Sequence, residues 1–101
     1  MLRPPRRVFV GPKDVVFTGR TVDFRLHAAG ARKVALAGTF NGWEPHEMEH
    51  GKDDIWRLNL RLPAGCYEYK FLIDGKWMED PHNDHKVSNP HGTHNSIRLV
   101  P

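Results

Sequence analysis

Tyr67 to Ile73 alternate in character: Tyr67, Tyr69, Phe71 and Ile73 fall on one side of an extended chain, and Glu68, Lys70 and Leu72 on the other. That period of two is the mark of a half-buried strand. Asp74-Gly75 follows, a dipeptide that favours a tight hairpin turn with positive φ, and Trp77 stands just past it. The same period runs through Thr21–His27, with Val22, Phe24 and Leu26 inward, and through Ile55–Leu62, with Trp56, Leu58, Leu60 and Leu62 inward. Shorter strand candidates are Val15–Phe17, Lys33–Ala37 with Val34 and Leu36 on one face, and Ser96–Val100 with Ile97 and Leu99 inward. Turn signals separate them: Gly19-Arg20, Ala28–Gly30, Asn41-Gly42 with Pro45 behind it, and Pro63–Gly65. Residues 46–54 read as a polar loop, and a second loop rich in His, Asn and Pro runs from Pro81 to Gly92.

No stretch repeats at the helical period. The pattern predicts an all-β fold, an immunoglobulin-like β-sandwich of about six to eight short antiparallel strands. Residues 1–14, with Pro4, Pro5, Gly11 and Pro12, read as a tail in which Val8–Val10 can add to a sheet edge. Residues 15–101 read as the domain.

Composition narrows the picture. A chain of 101 residues holds one core and is too short for two. With 39% hydrophobic and 27% charged residues it is a folded, soluble type of chain. No apolar run approaches the length of a membrane span. The basic start, Met1 to Arg7, lacks the apolar stretch of a secretory signal, so a cytoplasmic location is expected. The single cysteine, Cys66, excludes an internal disulfide and is assigned to packing. The net charge of +3 is mild, and Arg3, Arg6 and Arg7 are the tight basic cluster. A nucleic-acid footprint needs a basic stripe with interleaved aromatics, so no nucleic-acid partner is expected, and no membrane partner either.

The candidate chemistry is of three kinds. Catalysis is not expected: the acids sit in turns (Asp53-Asp54, Asp74, Glu79-Asp80, Asp84), and a small sandwich offers little cleft in which to fix two carboxylates. Neither a Gly-x-Ser-x-Gly elbow nor a phosphate-cradling Gly-rich loop is present. Metal binding has a motif of sorts in His82, His85, His91 and His94, whose spacing of three suits zinc or nickel. Loop histidines are more often solvated, and no metal or other cofactor is assigned. Carbohydrate is the third. Sugar rings present flat C–H faces that stack on indoles, and their hydroxyls need fixed donors and acceptors. A tryptophan beside a turn can pack back as core or stand open to a ligand. Two of them in that setting, Trp43 and Trp77, with Lys70 outward on the strand between, favour the open arrangement. Trp56, on an alternating strand face, reads as core.

Three motifs then occur in the order and spacing of a known family: Val34 to Trp43 (VALAGTFNGW), Tyr67 to Trp77 with Asp80-Pro81 (YEYKFLIDGKW), and Gly92 to Ser96 (GTHNS). Over residues 15 to 100 the chain resembles the family-48 carbohydrate-binding modules, among them the glycogen-binding domain of AMP-activated protein kinase beta subunits and the N-terminal domains of isoamylases and branching enzymes. The resemblance implies a β-sandwich that binds α-1,4-linked glucans without catalysis and without a cofactor. It implies stacking on Trp43 and Trp77, hydrogen bonding to hydroxyls by Lys70 and Asn95, and Thr93 beside them. A kinase or a glucan-active enzyme is the implied protein partner. The alternative is an interaction or accessory module with weak or no sugar binding. Two positions depart from the family pattern. His91 stands where kinase-type members carry an apolar residue that inserts into the glucan helix, which bears on affinity and chain-length preference. Ser96 replaces the second asparagine of an Asn-Asn pair.

Overall fold

The computed structural model of the chain describes residues 19–101. The strand expected at 15–17 and the edge segment at 8–10 lie outside those residues. In chain order the strands are β1 (Arg20–His27), β2 (Val34–Gly38), β3 (His46–Glu47), β4 (Glu49–His50), β5 (Ile55–Leu62), β6 (Gly65–Ile73), β7 (Lys76–Met78), β8 (Lys86–Ser88) and β9 (His94–Val100), with a 3-10 turn at Thr39–Asn41. They form two antiparallel sheets. One has the order β1-β5-β4; the other runs β3-β2-β6-β9-β8, with β7 also paired to β6. β7 and β9 share one side of β6: β9 pairs with Gly65–Tyr69 and β7 with Phe71–Ile73.

The sheets face each other across the residues that alternation assigns inward. β1 contributes Val22, Phe24 and Leu26, β2 Val34 and Leu36, β5 Trp56 and Leu62, and β6 Tyr69 and Phe71, all buried. The two layers interlock where the Phe24 ring meets Tyr69 edge-on at 5.1 Å, and Tyr69 in turn meets Phe71 at 5.9 Å. Aromatic pairs of this geometry add roughly 0.5–1.5 kcal/mol beyond area burial. Trp56 is core, as its strand position implies; its indole N–H donates to the Ala28 carbonyl at 3.3 Å, and His50 stacks flat on it at 4.3 Å.

Four expectations need correction. The stretch read as a loop from Pro81 to Gly92 contains β8, which pairs with the start of β9. β9 has the opposite parity: its pairing sets Ser96, Arg98 and Val100 beside Gly65, Tyr67 and Tyr69 on the inner face, and Leu99 is 62% exposed. The inner polar positions are satisfied there. The fully buried Ser96 hydroxyl accepts the Asp80 N–H at 2.9 Å, and the Arg98 guanidinium lies over Phe24 at 5.1 Å. The loop at 46–54 contains β3 and β4, because buried Met48 carries the chain from one sheet to the other; its N–H donates to Val34 O at 2.8 Å. Cys66 is exposed, on the outer face opposite Leu99, and does not pack in the core. Among the described residues no helix is long and apolar enough to cross a membrane.

Candidate functional site

The outer face of the larger sheet carries Glu68, Lys70 and Leu72 on β6. Two turns and one loop raise walls around it. The first turn is Asp74-Gly75. Both residues have positive φ (48° and 86°), the geometry of a two-residue hairpin whose twist matches the strands. The Asp74 carboxylate also accepts the N–H of Lys33 at 2.8 Å and of Arg32 at 3.0 Å, which ties the hairpin to the start of β2. The hairpin folds β7 back so that Trp77 lies opposite Leu72, on the outer face and 50% exposed.

The second turn follows β2. Asn41 accepts the Gly38 N–H at 3.0 Å through its side chain, and Gly42 and Trp43 both take left-handed backbone angles (φ 66° and 63°). For Gly42 this costs little. For Trp43 it stores strain of order 1–3 kcal/mol, held by the bond from its own N–H to Gly38 O at 2.9 Å. The strained backbone leaves the indole half-buried at the edge of the outer face.

The third wall is the loop from Asn89 to Asn95. Asn89 N–H donates to Thr93 O at 3.0 Å, and the Asn89 side-chain oxygen accepts the His91 N–H at 3.0 Å. Asp80 and Asn83 make the same turn with His82 and His85, each accepting the N–H two residues on at 2.9 Å. Asx-turns of this kind account for Asp80, Asn83 and Asn89 in the 80–93 stretch. They use the backbone N–H groups of the histidines. Among the described residues no three His, Cys, Asp or Glu side chains converge to hold a metal.

Between these walls lies a groove of about 690 Å³, and Trp43, Lys70, Trp77, His91, Thr93 and Asn95 all line it. Those are the six site residues read from the sequence, brought together from separate stretches of the chain. Their environments differ from the expectation in one respect. Lys70 is outward on its strand but only 9% exposed, and Asn95 only 7%. The Lys70 ammonium donates to the Thr93 hydroxyl at 3.0 Å. Among the described residues no carboxylate pairs with it, so two of its three N–H donors are left to the groove. A buried, incompletely bonded cation is costly by itself.

Glu68, Asn89 and Pro90 also line the groove, and sequence reasoning did not single them out. The signal for Glu68 was present in the alternation that sets it beside Lys70. Asn89 was marked only by standing in a turn-rich stretch. Outside the groove lining, the Lys86 ammonium bonds the Glu79 carboxylate at 2.9 Å, which holds Glu79 below the usual carboxylate range and raises Lys86. Beneath the sheet, the Tyr69 hydroxyl donates to Asp80 at 2.6 Å and accepts from Asn83 at 3.0 Å. Burial, then the bond to Asp80, pushes the Tyr69 phenol well above its ordinary value. The groove as a whole offers two indole surfaces and a set of directional donors and acceptors.

The family model described as the glycogen recognition site of AMP-activated protein kinase matches residues 20–101. Over 52 residues the chain is 46% identical to the protein FLOURY ENDOSPERM 6, chloroplastic, of Oryza sativa subsp. japonica, covering 50% of this chain and 10% of that protein. It is 37% identical over 71 residues to the 5'-AMP-activated protein kinase subunit beta-1 of Sus scrofa, covering 70% and 57%. It is 40% identical over 52 residues to PTST homolog 2, chloroplastic, of Arabidopsis thaliana, covering 50% and 10%. The chain therefore spans from a tenth to 57% of the length of these relatives.

Proposed function

Because the chain belongs to the family of the glycogen recognition site of AMP-activated protein kinase, we propose that it is a non-catalytic module that binds α-1,4-glucans in the groove lined by Trp43 and Trp77. One observation carries the reading: a buried lysine with spare donors sits in the same groove as two turn-borne indoles. Indoles take the C–H faces of glucose units, and a cation with unspent N–H groups takes their hydroxyls. Lys70 and Asn95 fix the register of the chain, Thr93 anchors Lys70, and His91 meets the glucan at the exposed rim. Uncharged hydroxyls can take the remaining ammonium N–H groups, which suits a neutral polysaccharide.

Residues 15–101 are taken as the binding domain and 1–14 as a tail. The Sus scrofa relative is a kinase subunit by name, and on that ground a kinase or a glucan-active enzyme is read as the protein beside which the module works. The two plant relatives are chloroplastic by name, so a cytoplasmic location is not carried forward from them.

Titration with maltoheptaose, followed by tryptophan fluorescence, tests the reading. A saturable change that Trp77→Ala abolishes is the expected result. No change up to millimolar sugar refutes it, since even weak sites respond by that concentration.

A further inference from the structure

Asn95 is buried to 7% exposure, yet its carboxamide bonds at both ends. Its Nδ2 donates to Glu68 Oε1 at 3.0 Å, and its Oδ1 accepts from Asn89 Nδ2 at 2.9 Å. Asn89 is fixed in turn. Its Oδ1 accepts the backbone N–H of His91 at 3.0 Å and of Thr93 at 3.2 Å, and its Nδ2 also reaches the Thr93 hydroxyl at 2.8 Å.

These bonds form a chain with a direction. It starts at peptide N–H groups, which only donate, and ends at a carboxylate, which only accepts. Two carboxamides between such ends have one arrangement that satisfies every bond; turning either one sets oxygen against oxygen or N–H against N–H. The Glu68 end is itself anchored, since the Glu68 N–H donates to the Thr39 hydroxyl at 3.1 Å on the neighbouring turn. The Lys70 ammonium, also donor-only, presses the same sense on the Thr93 hydroxyl at 3.0 Å.

We propose that Glu68 and Asn89 are positioning residues that lock the Asn95 carboxamide in one orientation, and so decide where the groove presents a donor and where an acceptor. A carboxamide has two N–H donors and two lone pairs; one of each is spent on the clamp, and the other pair is left for ligand hydroxyls. The inference rests on the glucan reading only for the identity of that ligand.

The clamp predicts an unusual mutational cycle. Asn89→Asp keeps the acceptor for the His91 and Thr93 N–H groups but replaces the donor facing Asn95 and the Thr93 hydroxyl with a second carboxylate, to which that hydroxyl can donate in turn. Two carboxylates then compete for one side-chain nitrogen, and both melting temperature and affinity for maltoheptaose fall, the affinity at least tenfold. Glu68→Gln alone preserves the direction, because the Asn89 end still sets it, and affinity falls less than in N89D. Combined, the two substitutions rebuild a fully bonded chain running the opposite way. The melting temperature of E68Q/N89D recovers toward that of the parent, while affinity remains at least tenfold down because donor and acceptor have changed places.

Affinity recovering together with stability in the double variant overturns the proposal, since Asn89 would then be merely structural. A double variant no more stable than N89D overturns it too, as does N89D binding within twofold of the parent. The Asn95 side-chain amide signals in a 1H–15N spectrum give a reading free of sugar. Slow hydrogen exchange in the parent that is lost in N89D is expected, and solvent-like exchange in the parent contradicts the clamp. A parent that fails to bind maltoheptaose removes the glucan reading, while the stability cycle and the amide signals still decide the clamp.

Discussion

The Lys70 ammonium and the Thr93 hydroxyl, 3.0 Å apart, join the floor of the groove to its far wall. The lysine is thereby held at 9% exposure, where the protein supplies one bond for three donors. Stability and affinity should then respond in opposite senses. Lys70→Met removes the buried charge while keeping most of the packed stem, and the melting temperature is expected to hold or rise. Loss of a charged hydrogen bond of roughly 1.5–3 kcal/mol lowers maltoheptaose affinity about ten- to hundredfold. Thermal unfolding and calorimetric titration of the one variant read both.

The walls of this groove were legible where a turn dipeptide fixes backbone direction. Asp74-Gly75 and Asn41-Gly42 each announce a reversal, and a tryptophan one or two residues past a reversal has little core to enter. Strand faces were legible where one parity is plainly apolar, as in Thr21–His27. They were not in His94–Val100, where Ile97 and Leu99 stand against Ser96, Arg98 and Val100. There the inner face is decided by partners far away in sequence, the Asp80 N–H for Ser96 and the Phe24 ring for Arg98. The Tyr67–Ile73 alternation, extended back by one residue, sets Cys66 outward beside Leu99, so its assignment to packing did not follow from its strand. Asn89 escaped notice because its bonds run among side chains, which spacing along one chain does not reveal, whereas Glu68 was legible as the outward neighbour of Lys70.

Tyr69 makes alkaline pH a probe of the core. Its phenol is favoured in the protonated form by burial and by the bond to Asp80, so its folded value lies above its unfolded value near 10. The folded state therefore holds its proton longer than the unfolded state. The associated stability is fully present below about pH 10 and is lost progressively as pH rises beyond it. Tyr69→Phe removes that alkaline limb. It also lowers stability at neutral pH by roughly 1–3 kcal/mol, since Asp80 and Asn83 each lose a partner. Urea unfolding from pH 7 to 11 on both proteins checks the two effects separately.

Asp53 sets the opposite limb. The Arg57 guanidinium, at 2.9 Å, and the Ile55 N–H, at 3.1 Å, hold its carboxyl down at about 2 against an ordinary 3.8. A depressed carboxyl contributes stability above the unfolded value, and the contribution disappears as pH falls from about 4 toward 2. Both side chains are exposed, so the effect is small and screened by salt. Asp53→Asn is expected to flatten the melting-temperature profile between pH 4 and 2 without moving maltoheptaose affinity at neutral pH.

Gly38 and Gly42 flank the turn that carries Trp43, and they are glycine for different reasons. Gly38 is extended, with φ −173°, so any residue fits its backbone. What excludes a side chain is space: an added Cβ would collide with the Glu68 carbonyl oxygen and with the Phe40 ring. The ring can swing aside. The carbonyl cannot, because Gly38 pairs with Tyr69 in the β2–β6 ladder and Glu68 is the next residue. Gly42 has open space around it but a φ of 66°, where an L-residue is strained. Gly42→Ala is therefore expected to cost roughly 1–2 kcal/mol through its own backbone and to leave β6 in place. Gly38→Ala is expected to cost about 1–3 kcal/mol by overpacking, and to push β6 outward at Glu68, on the floor of the groove. Measured at equal fractions folded, maltoheptaose affinity should fall in Gly38→Ala and hold in Gly42→Ala. Equal losses in both would mean that the turn, and not the strand beneath it, sets the geometry of the groove.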